Sequence, residues 1–234
     1  MQTRVIPTST HGRYLLREPT QPGAAVPLLV GFHGYMETAE TQMDRLTSIP
    51  GNGNWLLVAI QGLNRFYRSR TDAVVANWMT RQDRDLAIAD NQAYVSAVLG
   101  LVAKEWDVTG PLVFAGFSQG VAMALRAACS APRRVEGVVV LGGDVPPELD
   151  GQALSRTRRV LLGRGERDEW YTVEKRSMDI TRLHEAGVEL DAPLFDTGHE
   201  WTEAFSFAAG RFLDRQLASV APTSPAPREP RRPS

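Results

Sequence analysis

The chain has 234 residues, of which 43% are apolar and 23% charged, and its formal net charge is -1. This is enough for a sizeable core and fits one α/β domain or two small ones, while the near-neutral charge gives no electrostatic basis for binding nucleic acid or an anionic membrane. A single cysteine, Cys129, excludes an intramolecular disulfide and a multi-cysteine metal site.

The N-terminal stretch contains no apolar signal region, and we expect no later segment to be apolar for long enough to span a bilayer. The sequence therefore predicts a cytoplasmic protein without stable membrane insertion. Residues 3–18 resemble two strands around a turn at His11-Gly12, which predicts an antiparallel pair at one sheet edge.

Short runs that are almost continuously apolar and rich in β-branched residues recur along the chain. They predict strands at residues 27–32, 55–60, 111–116, 135–143 and 158–165. Such runs are typical of strands buried on both faces of a parallel sheet.

Helical patterns separate most of these runs. They cover residues 80–106, the segment that follows residue 118, residues 172–186 between Thr172 and Gly187, and residues 202–217. Alternating strands and helices predict a doubly wound, mostly parallel sheet with helices on both faces and an antiparallel N-terminal edge. We expect one domain over residues 1–218, followed by a Pro/Arg-rich disordered tail at 219–234.

The pentapeptide GFSQG at residues 116–120 lies where a strand is predicted to end and a helix to begin. This matches G-x-S-x-G in the structural context that the nucleophile pattern requires. A tight turn lifts Ser118 above the sheet, and glycines at both ends avoid collision with neighbouring backbone. The sequence therefore predicts Ser118 to be a nucleophile, although a plain turn would use the same glycines.

A serine hydroxyl needs a base that takes its proton, and the chain has four histidines. His199 follows the last strand and precedes the last helix, at the sheet edge where catalytic groups gather. The other three are interpreted as a turn residue, a loop-shaping residue and a helix residue: His11, His33 and His184.

The base in turn needs a carboxylate, and the chain order Ser, Asp/Glu, His points to the acids between residues 118 and 199. Asp168 is preferred because it follows the strand at 158–165. Glu166 and Glu169 are close rivals, Asp196 is better suited to local backbone contacts, and Asp144 is a more distant candidate. Two backbone amides, those of Tyr35 and Gln119, are predicted to form the oxyanion hole.

Four segments in this order, HGYME, AGFSQGV, GERDEWYT and TGHEW, resemble the motifs of the phospholipase/carboxylesterase family of α/β hydrolases. The family includes acyl-protein thioesterases and bacterial carboxylesterases, and the similarity extends from about residue 27 to about residue 213. The resemblance implies the α/β-hydrolase fold, Ser118, Asp168 and His199 as catalytic triad, and Tyr35 and Gln119 as oxyanion donors.

The chain departs from the family pattern at three places. Val121 replaces a second glycine, residues 164–165 are Arg-Gly rather than His-Gly, and residues 171–172 are Tyr-Thr rather than Val-Pro. The related dienelactone hydrolases carry cysteine at the nucleophile position, so Ser118 argues against that activity.

Residues 64–81 are too long for a plain strand-to-helix connection and contain several large apolar side chains. We expect Tyr67, Trp78 and Met79 to line the substrate pocket, with Trp170 and Trp201 at its rim. An ordinary loop packed on the domain is the competing interpretation.

These observations predict a serine carboxylesterase that cleaves small to medium acyl esters through an acyl-enzyme intermediate. No ligand cluster indicates a metal, and no cofactor is expected. The expected partner is a small-molecule ester, with the protein a monomer or homodimer. A thioesterase or lysophospholipase, an amide hydrolase and a non-catalytic binding protein on the same fold are the alternatives.

Overall fold

The computed structural model describes residues 1–21, 25–69 and 71–218. The strands are β1 (Arg13–Arg17), β2 (Leu28–Phe32), β3 (Leu56–Gln61), β4 (Asn64–Tyr67), β5 (Val74–Asn77), β6 (Leu112–Phe117), β7 (Gly137–Leu141), β8 (Arg159–Gly165), β9 (Glu189–Asp191) and β10 (Leu194–Phe195). The helices are α1 (Ala39–Ser48), α2 (Arg84–Glu105), α3 (Gln119–Ser130), α4 (Gly151–Leu154), α5 (Val173–Glu185) and α6 (Glu203–Ala218), with a 3₁₀ turn at Asn52–Asn54.

Eight strands form one sheet in the order β1-β3-β2-β6-β7-β8-β10, with β9 pairing beside the start of β8. Only β1 runs antiparallel to its neighbour; the other pairings in this sheet are parallel. The chain moves outward from β2 to β3 and returns to the other side of β2 with β6. Ligand sites of open α/β sheets form at such a switch point, beyond the carboxyl ends of the strands.

Alternate residues of the central strands feed two apolar layers, one on each side of the sheet. In β3, Leu56, Val58 and Ile60 join the layer that contains residues of α2 and α3. Leu57 and Ala59 face the layer that contains residues of α1 and α6. Burial on both faces explains why these strands are continuously apolar in sequence, and the predicted doubly wound, mostly parallel sheet with helices on both faces is confirmed.

The N-terminal edge differs from its prediction in one respect. Residues 1–12 form no strand, and β1 pairs antiparallel with β3, from Arg13 opposite Gln61 to Arg17 opposite Leu57. The antiparallel edge is confirmed, but the local hairpin around His11-Gly12 is wrong. The paired residues of β3 lie 40 to 48 positions further along the chain, where no local turn signal points to them.

Within the stretch interpreted as a long connection, β4 and β5 pair antiparallel as a separate two-stranded hairpin. The predicted N-cap of α5 is confirmed, because the Thr172 hydroxyl accepts a hydrogen bond from the Lys175 amide. The predicted tail at 219–234 lies outside the described residues.

Contrary to the expectation that no segment is apolar for long enough, α2 could cross a membrane by length and composition. Alanines on its exposed face contribute to this apolar composition. In the fold, Ile88, Val95 and Val102 pack into the core on one side of the sheet.

Candidate active site

Ser118 lies at the corner between β6 and α3, beyond the carboxyl edge of the sheet. Its backbone has φ 52° and ψ -119°, a left-handed conformation that is strained for a residue with a side chain. Its amide donates to the Leu141 carbonyl oxygen at 3.0 Å, and its own carbonyl accepts from the Val121 amide at 3.0 Å. These bonds hold the corner in place.

The two glycines of the pentapeptide permit this corner because backbone crosses directly over both. A Cβ added to Gly116 would lie 2.5 Å from the Gly120 carbonyl oxygen. A Cβ added to Gly120 would lie 2.1 Å from the Phe32 carbonyl oxygen at the end of β2. The expected steric need for both glycines is confirmed.

Three predicted side chains form one hydrogen-bonded line. The Nε2 atom of His199 lies 2.9 Å from Ser118 Oγ, and its Nδ1 atom lies 2.8 Å from Asp168 Oδ2. Because an ionised carboxylate only accepts hydrogen bonds, Nδ1 carries the proton and Nε2 is free to accept from the serine hydroxyl. This is the arrangement in which an imidazole takes the proton of a serine.

Asp168 is 3% exposed, and its second oxygen accepts hydrogen bonds from the amides of Trp170 and Tyr171, at 2.8 and 3.0 Å. The carboxylate is therefore fixed from both sides. The other acids considered lie elsewhere: Glu166 and Glu169 are exposed, Asp196 pairs with Arg167, and Asp144 pairs with Lys175.

A buried arginine holds the loop that carries Asp168. Arg164, at the end of β8, is 5% exposed and donates to three backbone oxygens. Its Nε lies 2.5 Å from the Tyr171 oxygen, its Nη2 3.0 Å from the Asp168 oxygen and its Nη1 3.2 Å from the Glu166 oxygen. One guanidinium thereby joins both ends of the loop at residues 166–171, which carries Asp168, to the end of β8.

A second polar pair shapes the loop after β2. The Gly34 amide donates to Glu37 Oε2 at 2.7 Å, and Arg45 of α1 binds both Glu37 oxygens at 2.5 and 2.6 Å. Burial opposes ionisation of Glu37, but this pairing keeps its pKa below the ordinary value.

Among the described residues, the Tyr35 and Gln119 amides have no backbone acceptor, as a developing oxyanion requires.

The same arginine also contacts the histidine side of the site. The Arg45 guanidinium lies 4.1 Å from the centre of the Phe117 ring, whose centre lies 5.0 Å from that of His199. His33 instead has a structural place: its Nδ1 bonds the Gly34 oxygen at 2.7 Å, and its Nε2 accepts from the Gly62 amide. Burial lowers the pKa of His33 and favours its neutral form.

The residues predicted for the pocket separate into two groups. Trp170 is 75% exposed and lines a cleft with Ser118, and Tyr67 is exposed on the β4–β5 hairpin. Trp201 is half-buried and packs edge-on against Phe205.

Trp78 and Met79 are buried in the core. Trp78 has no exposed surface, since its indole donates to the His33 oxygen at 2.8 Å and packs on Phe32. The Gln119 side chain fixes this segment by bonding the Trp78 amide and the Met79 oxygen, each at 2.9 Å. In this structure both side chains therefore serve packing rather than a free pocket wall.

Sequence reasoning missed several cleft residues, notably Arg84, Arg126 and Lys175. A signal existed for Arg126, because it interrupts the apolar helical run MALRAAC at residues 123–129. Among the described residues, no group of three or more His, Cys, Asp or Glu side chains could hold a metal ion.

The family model described as Phospholipase/Carboxylesterase matches residues 74–215. No curated protein matched the chain. The low-identity structural matches that follow bear on the fold alone.

Similar solved structures include a carboxylesterase from Bacillus cereus, 16% identical over 88% of this chain and 94% of that one, with a TM-score of 0.66. Acyl-protein thioesterase 2 from Zea mays is 19% identical over 88% of this chain and 100% of that one, with a TM-score of 0.68. A carboxylesterase from Mesorhizobium loti is 21% identical over 81% of this chain and 89% of that one, with a TM-score of 0.66.

Proposed function

Because the chain belongs to the phospholipase/carboxylesterase family of α/β hydrolases, we propose that it is a serine carboxylesterase whose triad is Ser118, His199 and Asp168. The observation that carries the proposal is the line from Ser118 Oγ through the imidazole to the Asp168 carboxylate, with both distances below 3 Å. The strained serine backbone supports it independently, since such outliers cluster at active sites.

The reaction follows from the hydrogen bonds. His199 Nε2 takes the proton of Ser118 Oγ as the oxygen attacks the ester carbonyl, and Asp168 stabilises the imidazolium that results. The Tyr35 and Gln119 amides donate to the oxyanion of the tetrahedral intermediate. The imidazolium then protonates the leaving alcohol, and the acyl group stays on the serine.

Deacylation repeats these steps with water as the nucleophile. His199 takes a proton from the water as it attacks the acyl-enzyme, and returns it to Ser118 Oγ when the carboxylic acid leaves. The second step needs no group that the first step does not use.

We infer small to medium acyl chains from the sequence, and the cleft beside Ser118, with a volume of only about 270 Å³, limits the size of whichever side of the ester enters it. A series of p-nitrophenyl esters from acetate to palmitate, together with an acyl thioester, ranks chain length and separates esterase from thioesterase activity. Location in the cytoplasm and a monomeric or homodimeric state stay predictions.

The test of the triad is Ser118→Ala against Ser96→Ala, which removes an exposed serine hydroxyl from α2. We expect Ser118→Ala to lower kcat by about 10³–10⁶-fold, with an unchanged unfolding temperature, and Ser96→Ala to keep wild-type activity. A Ser118→Ala protein that is folded and retains a tenth of the activity would refute the assignment.

A further inference from the structure

The cleft beside Ser118 is lined by basic side chains from three helices. Its other walls are the corner between β6 and α3 at Ser118-Gln119, Gly142-Gly143 after β7, Pro146-Pro147 and the exposed Trp170. Arg84 begins α2, Arg126 lies in α3 and Lys175 lies in α5. One carboxylate, Asp144, lines the same cleft, whereas Glu148, which pairs with Arg126 and Arg84, is not among its lining residues.

Arg126 is a buried cation whose hydrogen-bonding capacity is only partly used. It is 1% exposed, and its Nε and Nη2 atoms bind one oxygen of Glu148 at 2.7 and 2.5 Å. Its Nη1 atom meets only the sulfurs of Met79 and Met123, at 3.6 and 3.9 Å, and thioether sulfur is a weak acceptor. Burial accordingly lowers the pKa of Arg126.

The two outer cations are partly exposed, and Arg84 has only long contacts. Arg84 lies 3.5 Å from the second oxygen of Glu148 and 3.8 Å from Asp85, whose side chain is 98% exposed, so neither contact is a tight bidentate pair. Lys175 lies 3.3 Å from Asp144 and donates to the Trp170 oxygen at 2.9 Å. The Arg84 and Lys175 side chains are 38% and 43% exposed, which leaves both free to turn toward an incoming anion.

A neutral ester has no charged group that could pair with Arg84 or Lys175 in this cleft. An apolar acyl chain entering the cleft would strip water from cations that it cannot pair with, and the cost would fall on binding. A carboxylate on the substrate would instead receive charge-assisted hydrogen bonds from an arginine fork and an ammonium group.

We propose that this cleft is an anion subsite and that the esters hydrolysed at Ser118 carry a carboxylate a few bonds from the scissile carbonyl. The inference rests on the proposed function, because it assumes that the reacting carbonyl lies at Ser118. Arg84 is the specificity-determining residue, since it has the weakest partners of the three cations.

The experiment compares two pairs of esters in which one member carries a carboxylate and the other does not, and each ratio is compared between variants so that intrinsic reactivity cancels. p-Nitrophenyl hemiglutarate against p-nitrophenyl pentanoate places the carboxylate on the acyl side. 4-Acetoxybenzoate against phenyl acetate places it on the alcohol side. For each pair, the ratio of kcat/KM for the anionic and neutral ester is measured in wild type, Arg84→Gln and Arg17→Gln, the last removing a charge from an exposed residue of β1 at the sheet edge.

We expect Arg84→Gln to lower the ratio about tenfold in one pair, which also assigns the side of the substrate that enters the cleft. Arg17→Gln should leave both ratios as in wild type. A ratio within twofold of wild type in both pairs for Arg84→Gln overturns the anion subsite, and Ser118-dependent turnover of the neutral esters then leaves the proposed function standing. Absence of turnover for all four esters overturns the proposed function and the subsite with it.

Discussion

Replacing Arg164 by methionine tests whether the acid of the site is held by its loop. Methionine keeps much of the side-chain length but removes every N–H donor, so three backbone oxygens, those of Glu166, Asp168 and Tyr171, lose their charged partner. Arg164 is 5% exposed, and water cannot readily replace it.

The stability loss follows from two opposing contributions. Three hydrogen bonds from a charged donor, at about 1.5–3 kcal/mol each, set a gross loss of about 5–9 kcal/mol. Removing a buried guanidinium returns several kcal/mol of desolvation free energy, so we expect a net loss of about 2–3 kcal/mol. For a domain of this size the unfolding temperature should fall by about 4–12 °C.

We expect Arg164→Met to lower kcat as well as the free energy of unfolding. Released from Arg164, the loop lets Asp168 drift from His199, and a misplacement of about 1 Å in a catalytic group costs about 10²-fold in rate. We expect kcat for p-nitrophenyl acetate to fall by that factor with little change in KM, because substrate contacts are intact. Arg164→Lys should recover part of the loss, since an ammonium group can still donate to one of the three oxygens.

Arg167→Met is the matched control, because Arg167 lies on the same loop with a side chain that is 65% exposed and pairs with the exposed Asp196. It should change neither kcat nor the unfolding temperature. If Arg164→Met unfolds at a lower temperature yet keeps kcat within threefold of wild type, the arginine stabilises the fold but does not position the acid. If neither quantity changes, the reasoning about the buried guanidinium is refuted.

Three further predictions concern stability. Burial raises the pKa of Asp179 above its ordinary value of 3.8, so its stabilising contribution is complete below that value and is lost as pH rises through the folded-state pKa. Urea titrations from pH 4 to 8 should therefore show Asp179→Asn gaining on wild type as pH rises, by about 1.4 kcal/mol per unit of pKa elevation. Gly120→Ala should abolish activity and lower the unfolding temperature, since its Cβ meets the Phe32 oxygen at 2.1 Å; a folded, active variant would contradict the crowded elbow. Trp78→Ala should cost about 3–5 kcal/mol in denaturant unfolding with no change in acyl-chain preference, and an altered preference would return Trp78 to the pocket wall.

The central strands could be predicted because their burial on both faces is written into consecutive residues. All five predicted strands have counterparts within a few residues, as do the helices α2, α5 and α6. Pairings between distant segments could not be predicted in the same way. Nothing local in residues 3–18 favours pairing with β3, and α1 buries only Ala39, Gln42 and Leu46, too weak an apolar pattern to stand out.

The line of Ser118, His199 and Asp168 could be proposed because each residue follows a recognisable strand end. The buried polar residues that support these three side chains could not be predicted, since an arginine is by default expected at the surface. Arg164 is buried because the loop that follows it folds three of its own carbonyl oxygens back onto the guanidinium, and Arg126 is buried against the Glu148 carboxylate, which lies 22 residues further along the chain. Trp78 was predicted to line the pocket but is buried in the core, because a large apolar side chain suits either place equally well.

The supports of the site are built by three different means, and each acts on a different atom of the reaction. Close backbone crossings at Gly116 and Gly120 fix the nucleophile, and the Arg164 fork fixes the acid. The Glu37–Arg45 pair contacts both the predicted oxyanion loop and the histidine. Glu37 accepts a hydrogen bond from the Gly34 amide, next to the predicted donor Tyr35, and the Arg45 guanidinium lies over the Phe117 ring, which contacts His199.

In the proposed mechanism this arrangement links His199 to the loop after β2 through Arg45 of α1 and the ring of Phe117, the last residue of β6. In the proposed reaction, negative charge develops at the oxyanion on one side of Ser118 while positive charge develops on the His199 imidazole. We expect the Glu37–Arg45 pair to hold the loop after β2 and the Phe117 ring in place during that step, because preorganisation of this kind lowers the free energy of reorganisation in the transition state.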